Sequence, residues 1–171
     1  MMFMEGEIDM FKVGIITCSD KGYENKRIDE SGKVIEEIVK SKNYKVEKYI
    51  VLPDDKKIIA KEMIHMSDNI KVDLILTTGG TGFSERDVTP EATLSVVNKL
   101  APGISEAIRM YSLTITKRAM LSRAVSGIRN KTLIINLPGS PKAVRESLEY
   151  IIDSLQHGLE ILTGKASECA R

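Results

Sequence analysis

At 171 residues the chain has the length of one domain with a single buried core, and its 42% hydrophobic and 29% charged residues exclude disordered and fibrous classes. Its 25 basic against 24 acidic side chains leave a formal net charge of +1, with only 5% aromatic residues. That composition offers neither phosphate-backbone neutralisation nor base stacking, and argues against a nucleic-acid partner. The apolar runs are strand-length, far short of the ~20 residues a membrane helix needs.

Residues 1–11 read as a short tail. Glu5, Glu7 and Asp9 stand where a signal peptide would need a positive and then an apolar stretch, so the cytoplasm is the expected compartment. Residues 12–164 form the expected domain and 165–171 a second tail. Cys18 and Cys169 lie too far apart for a CxxC motif and read as two free thiols.

Along the domain, segments 12–18, 45–52, 72–77 and 132–137 are short, rich in Val, Ile and Leu, and bounded by Gly, Pro, Ser or Asp, as buried strands are. Helical stripes lie between them: Val34, Ile35, Ile38 and Val39 after the first strand, Ile58, Ile59, Met63 and Met66 after the second. Thr89 and Pro90 suit the N-cap and first turn of a further helix that carries Leu94, Val96 and Val97. Pro102 and Gly103 punctuate before a helix over 104–113. Residues 114–129 are harder to assign and suggest an irregular stretch followed by a strand near 124–128. Ser140 and Pro141 open the clearest helix, with Val144, Leu148, Ile151, Ile152, Leu155, Leu159 and Leu162 at three- and four-residue steps and Gly164 at its end. Alternating strands and helices predict an α/β fold around a mostly parallel sheet.

In such sheets ligands bind outside the carboxyl ends of the strands. Here those ends run into Thr17-Cys18-Ser19-Asp20, Pro53-Asp54-Asp55, Gly79-Gly80-Thr81-Gly82 and Asn136-Leu137-Pro138-Gly139-Ser140. The glycine segment lacks the Gly-Lys-Ser/Thr of a Walker loop and the last glycine of a GxGxxG fingerprint. It reads either as a tight strand-to-helix turn or as a phosphate cradle, and Asp87 beside it favours the cradle only if a cation joins them. Asp54 is either an N-cap or, with Asp87, one of two carboxylates for magnesium on a triphosphate. Arg86, Arg118, Arg123 and Lys142 are candidate phosphate contacts, Arg123 foremost for its apolar neighbours. His65 and His157 have no ligand-spaced companions.

Taken in order, Thr77 to Ala92, Pro102-Gly103, Ala119-Met120-Leu121-Ser122-Arg123 and Leu133 to Val144 with its Asn-Leu-Pro-Gly-Ser-Pro core resemble the molybdopterin adenylyltransferases of molybdenum-cofactor biosynthesis. This is the MogA/MoaB family, related to the G domains of gephyrin and its plant homologue. The resemblance spans nearly the whole chain. It implies a three-layer α/β sandwich and a homotrimer. It also implies transfer of AMP from Mg-ATP to the terminal phosphate of molybdopterin and contact with a downstream molybdate-insertion protein. Carried over motif by motif, Asp54 and Asp87 become the catalytic and Mg²⁺-binding carboxylates. Ser19 and Asp20, the Ser-Asp after the first strand, become ligand-binding positions, as does Thr81, and Gly79, Gly80 and Gly82 become the nucleotide loop. Ser122, Asn136, Pro138, Gly139 and Ser140 become contacts to pterin or phosphate. The MoaB branch also allows a protein that binds molybdopterin without turning it over.

Overall fold

The computed structural model describes residues 10–165; of the expected tails over 1–11 and 165–171, residues 1–9 and 166–171, Cys169 among them, lie outside the described residues. Six strands form one sheet: β1 (Lys12–Cys18), β2 (Lys45–Leu52), β3 (Leu74–Thr78), β4 (Lys99–Leu100), β5 (Ser126–Arg129) and β6 (Thr132–Leu137). Their order is β2-β1-β3-β6-β5-β4, with β2, β1, β3 and β6 parallel and the β5 and β4 edge antiparallel. The four parallel strands are those the apolar runs predicted. β3 begins two residues later than read, because Asp73 is taken up by β1: its carboxylate and its N–H bind the Lys12 N–H and C=O.

The helices are α1 (Asp20–Tyr23), α2 (Glu30–Ser41), α3 (Lys56–Ile64), α4 (Thr89–Val96), α5 (Pro102–Leu113) and α6 (Pro141–Leu162). A π-helical turn over His65–Ile70 extends α3, and a 3-10 turn over Lys117–Leu121 follows α5. Each central strand is apolar on both faces, as a covered parallel sheet requires. Val13, Ile15, Leu74, Leu76, Leu133, Ile135 and Leu137 pack under α2, α5 and α6. Ile16, Cys18, Ile75 and Ile134 pack under α3 and α4. The result is the expected three-layer α/β sandwich. Phe11, just before β1, packs on the first of these cores beside the Tyr44 ring.

Three details depart from the sequence pattern. Ile58 and Leu94 are exposed, so the buried face of α3 rests on Ile59 and Met63 and that of α4 on Ala92, Thr93 and Val96. Thr89 is not the N-cap of α4. It lies in the first turn, fully buried, and its hydroxyl donates to the Gly79 carbonyl at 2.9 Å, which ties the helix to the glycine turn. β4 is two residues long and exposed, too short to leave a periodic signal.

Candidate active site

The carboxyl ends of the parallel strands open into a cavity of about 560 Å³. Of the residues proposed from sequence, it brings together Ser19, Asp54, Gly79, Gly80, Asp87, Gly139 and Ser140. The N-termini of α2 and α6 also border it, through Glu30 and Ser31 and through Ser140 and Pro141. Helix starts present unpaired backbone N–H groups and a partial positive charge, which favours anions.

Local chemistry explains the glycine turn. Gly79 and Gly80 both sit at positive φ, 89° and 70°. A Cβ on Gly79 would collide with the Cys18 carbonyl, and one on Gly80 with the Thr89 hydroxyl, so neither position accepts a side chain. A Cβ on Gly82 would stand 2.8 Å from Asp87 Oδ2. The turn thus brings backbone close to β1 on one side and to the Asp87 carboxylate on the other.

Asp54 and Asp55 divide two roles. Asp55 caps α3, its Oδ1 accepting from Lys57 N–H and Ile58 N–H at 2.9 and 3.0 Å. Asp54 is thereby left to the cavity. Its Oδ2 accepts from the Asp20 N–H at 3.0 Å, and its own N–H donates to Asp20 Oδ1 at 3.0 Å. Its other oxygen, Oδ1, is buried without a hydrogen-bond partner. Burial pushes the Asp54 carboxyl above its ordinary range, and the charges of Asp20 and Asp87 push the same way, against the hydrogen bond from Asp20. Asp20 is held below the ordinary range, first by its hydrogen bonds with Arg86 and then by that with Asp54. The Arg86 guanidinium grips it with Nε and Nη2 at 2.9 and 2.8 Å.

The remaining sequence candidates serve the frame. Asp20 reaches the site only through Asp54 and Arg86. Thr81 is buried, and its carbonyl accepts from the Arg123 N–H at 2.9 Å. Arg123 does not line the cavity. Its Nε donates to the Gly82 carbonyl and its Nη2 to the Asp87 carbonyl, both at 2.7 Å, and its Nη1 pairs with Glu91. This arginine clamps the glycine turn from behind. Ser122 ends the 3-10 turn, its Oγ accepting from Ala124 N–H at 3.3 Å, and is likewise outside the cavity. Pro138 contributes its carbonyl to the Thr78 hydroxyl at 2.6 Å. Ser19 and Ser140 cap α1 and α6, so their hydroxyl oxygens accept while each hydroxyl proton remains available to an anion.

Asn136 corrects the sequence reading most plainly. It is fully buried, its Oδ1 accepts from Val125 N–H at 3.2 Å, and its Nδ2 donates to the hydroxyls of Thr77 and Thr93 at 3.1 and 2.8 Å. Both polar atoms of that amide are engaged inside the core. Asn136→Leu should cost about 2–4 kcal/mol, because the Val125 N–H and the Thr77 hydroxyl lose partners in the interior. Thermal melting should then shift down by roughly 5–10 °C; an unshifted melt with weakened ligand binding would return the residue to the site.

Sequence reasoning missed a second network at the mouth. Asp29 accepts from the Thr17 hydroxyl at 2.7 Å, from the Tyr49 hydroxyl, and from the Gly32 N–H at 3.0 Å as N-cap of α2. The Ser31 hydroxyl donates to the Gly139 carbonyl at 2.6 Å, which ties α2 to the turn before α6. The available signal was an aspartate just ahead of the α2 stripe, a cap in sequence terms.

Fold and cavity together define a three-layer α/β protein whose glycine turn and helix N-termini border one cavity at the carboxyl edge of its sheet. The match to known proteins makes this specific: residues 14–157 fit the model of the family described as "Probable molybdopterin binding domain", and the chain belongs to that family. A protein named molybdopterin adenylyltransferase from Helicobacter pylori (strain J99) is 42% identical over 154 residues, covering 89% of this chain and 88% of its own. The one of that name from Escherichia coli K12 is 37% identical over 150 residues, 86% of this chain and 76% of its own. The crystal structure of the molybdopterin biosynthesis enzyme MoaB from Thermus thermophilus superposes with a TM-score of 0.87 at 45% identity, covering 93% of this chain and 100% of that one.

Proposed function

We propose that this protein is a molybdopterin adenylyltransferase. A terminal phosphate oxygen of molybdopterin attacks the α-phosphorus of ATP, the bond from that phosphorus to the oxygen bridging to the β-phosphorus breaks, and pyrophosphate leaves. A phosphoanhydride joins AMP to the pterin. The observation that carries the reading is the buried, unpartnered Asp54 Oδ1 in a cavity that also holds the glycine turn. The protein's share is positioning and charge stabilisation, the usual division in phosphoryl and nucleotidyl transfer.

The residues fit Mg²⁺. Asp54 offers a hard oxygen without a donor and Asp87 a second carboxylate, while among the described residues no group of three His, Cys, Asp or Glu is arranged to hold a metal by itself. Two carboxylates completed by substrate phosphates suit an ion that keeps several waters. When bound, Mg²⁺ neutralises phosphate charge. Around it, the chain's own groups orient the phosphates: backbone N–H groups at the glycine turn and at the starts of α2 and α6, and the hydroxyl protons of Ser19 and Ser140.

A homotrimer belongs to the same proposal. Met110, Leu113, Ile115 and Met120 stand exposed on α5 and the segment after it, and association would cover them. No helix among the described residues is long and apolar enough to cross a membrane. The test is incubation of the purified protein with molybdopterin, ATP and magnesium, with product read by mass. Adenylylated molybdopterin and pyrophosphate are expected; retained pterin binding without product would leave a binding protein in place of the enzyme.

A further inference from the structure

The charged side chains lining the cavity are Asp29, Glu30, Asp54, Asp87 and a single cation, Arg27. A ligand rich in phosphate oxygens therefore meets four carboxylates, and three cations around the cavity are already engaged. Arg86 holds Asp20, Arg123 holds the carbonyls behind the glycine turn, and Lys26 pairs with Glu24 at 2.6 Å. Arg27 is exposed, and no hydrogen bond or ion pair occupies it among the described residues.

The backbone on either side of it is hydrogen-bonded. Lys26 N–H donates to the Lys21 carbonyl at 2.8 Å, Asn25 N–H to the Gly22 carbonyl at 3.1 Å with Asn25 at φ 58°, and Glu30 N–H to the Ile28 carbonyl at 3.2 Å. Asp29 is locked by Thr17, Tyr49 and Gly32. A guanidinium on a pinned turn loses only side-chain freedom on meeting an anion, and its planar fork matches two phosphate oxygens.

We infer that Arg27 is a phosphate-anchoring residue of this cavity, gripping the oxyanions of a substrate phosphate. The inference rests on the adenylyl-transfer reading for the identity of that substrate, as either the polyphosphate of ATP or the phosphate of molybdopterin. It does not depend on turnover.

The experiment is calorimetric titration of the full chain, wild type, Arg27→Gln and Arg27→Lys, with three probes in magnesium buffer: inorganic pyrophosphate, ATP and molybdopterin. Lys61→Gln, a surface charge outside the cavity, controls for general electrostatics. Arg27→Gln should bind at least one probe roughly tenfold more weakly, with a shallower salt dependence, and Arg27→Lys should recover part of the loss. Loss confined to pyrophosphate and ATP assigns the contact to the nucleotide; loss confined to molybdopterin assigns it to the pterin phosphate. Unchanged affinity for all three, an equal loss in Lys61→Gln, or a wild type that binds none of them overturns the inference. A wild type that forms no adenylylated product while Arg27→Gln still weakens binding keeps the inference and removes the enzyme reading. A wild type that turns over while Arg27→Gln binds normally does the reverse.

Discussion

Asp54→Asn should lower the rate of AMP-molybdopterin formation by about 10²–10³-fold, the scale of removing one charge-stabilising group from an active site. The same change should raise the melting temperature of the ligand-free protein at neutral pH. The amide carbonyl can still accept from the Asp20 N–H, so the local turn is retained, while a negative charge facing Asp20 and Asp87 disappears. The sign follows from the direction of the shift. Because the folded carboxyl titrates above its unfolded value near 3.8, ionised Asp54 costs stability above its folded pKa. That cost is relieved as pH falls through the folded pKa toward 3.8. Melting curves of both proteins between pH 4 and 8 should therefore converge toward the acid end. A variant with the wild-type rate would take Asp54 out of the chemistry, and one that melts lower at pH 7 would show that Oδ1 is not a strained charge.

Arg123→Gln should cost about 2–3 kcal/mol of stability and roughly 10–10²-fold in rate. Three contacts vanish together, to the Gly82 and Asp87 carbonyls and to Glu91, whose second oxygen is already buried without a partner. The loss acts through placement of the glycine turn, so the rate should fall more than the affinity for pyrophosphate. Adding Glu91→Gln should recover part of the stability, since it removes the uncompensated carboxylate. Urea unfolding of the single and double variants decides this. A rate loss matched by an equal loss of pyrophosphate affinity at wild-type stability would make Arg123 a ligand contact instead.

How far the sequence spoke depended on whether a signal was periodic or relational. Apolar runs such as Leu74, Ile75 and Leu76 identify a covered strand without knowledge of neighbours, and the Ser140-Pro141 start of α6 is chemistry local to two residues. Asn136 could not be read this way. Its carbonyl end is spent where the sheet turns antiparallel, on Val125, and its amide end on Thr77 and Thr93 from two other elements. Arg123 misled for the same reason: carbonyls 36 and 41 positions away satisfy it, and nothing in its immediate surroundings announces them. Arg27 carried no pattern at all, because an exposed arginine in a turn acquires meaning only once the cavity beside it exists.

The adjacent pair Asp54 and Asp55 gives the turn after β2 a fragile reading frame. Loss of Asp55 from that connection would slide the capping requirement of α3 onto Asp54, and a helix start that still folds would face the cavity with its acid already consumed. Such a chain would keep its sheet while losing the free carboxylate that the proposed chemistry needs. Among natural variants of this fold, the connection between the end of β2 and the first turn of α3 should accordingly keep its length.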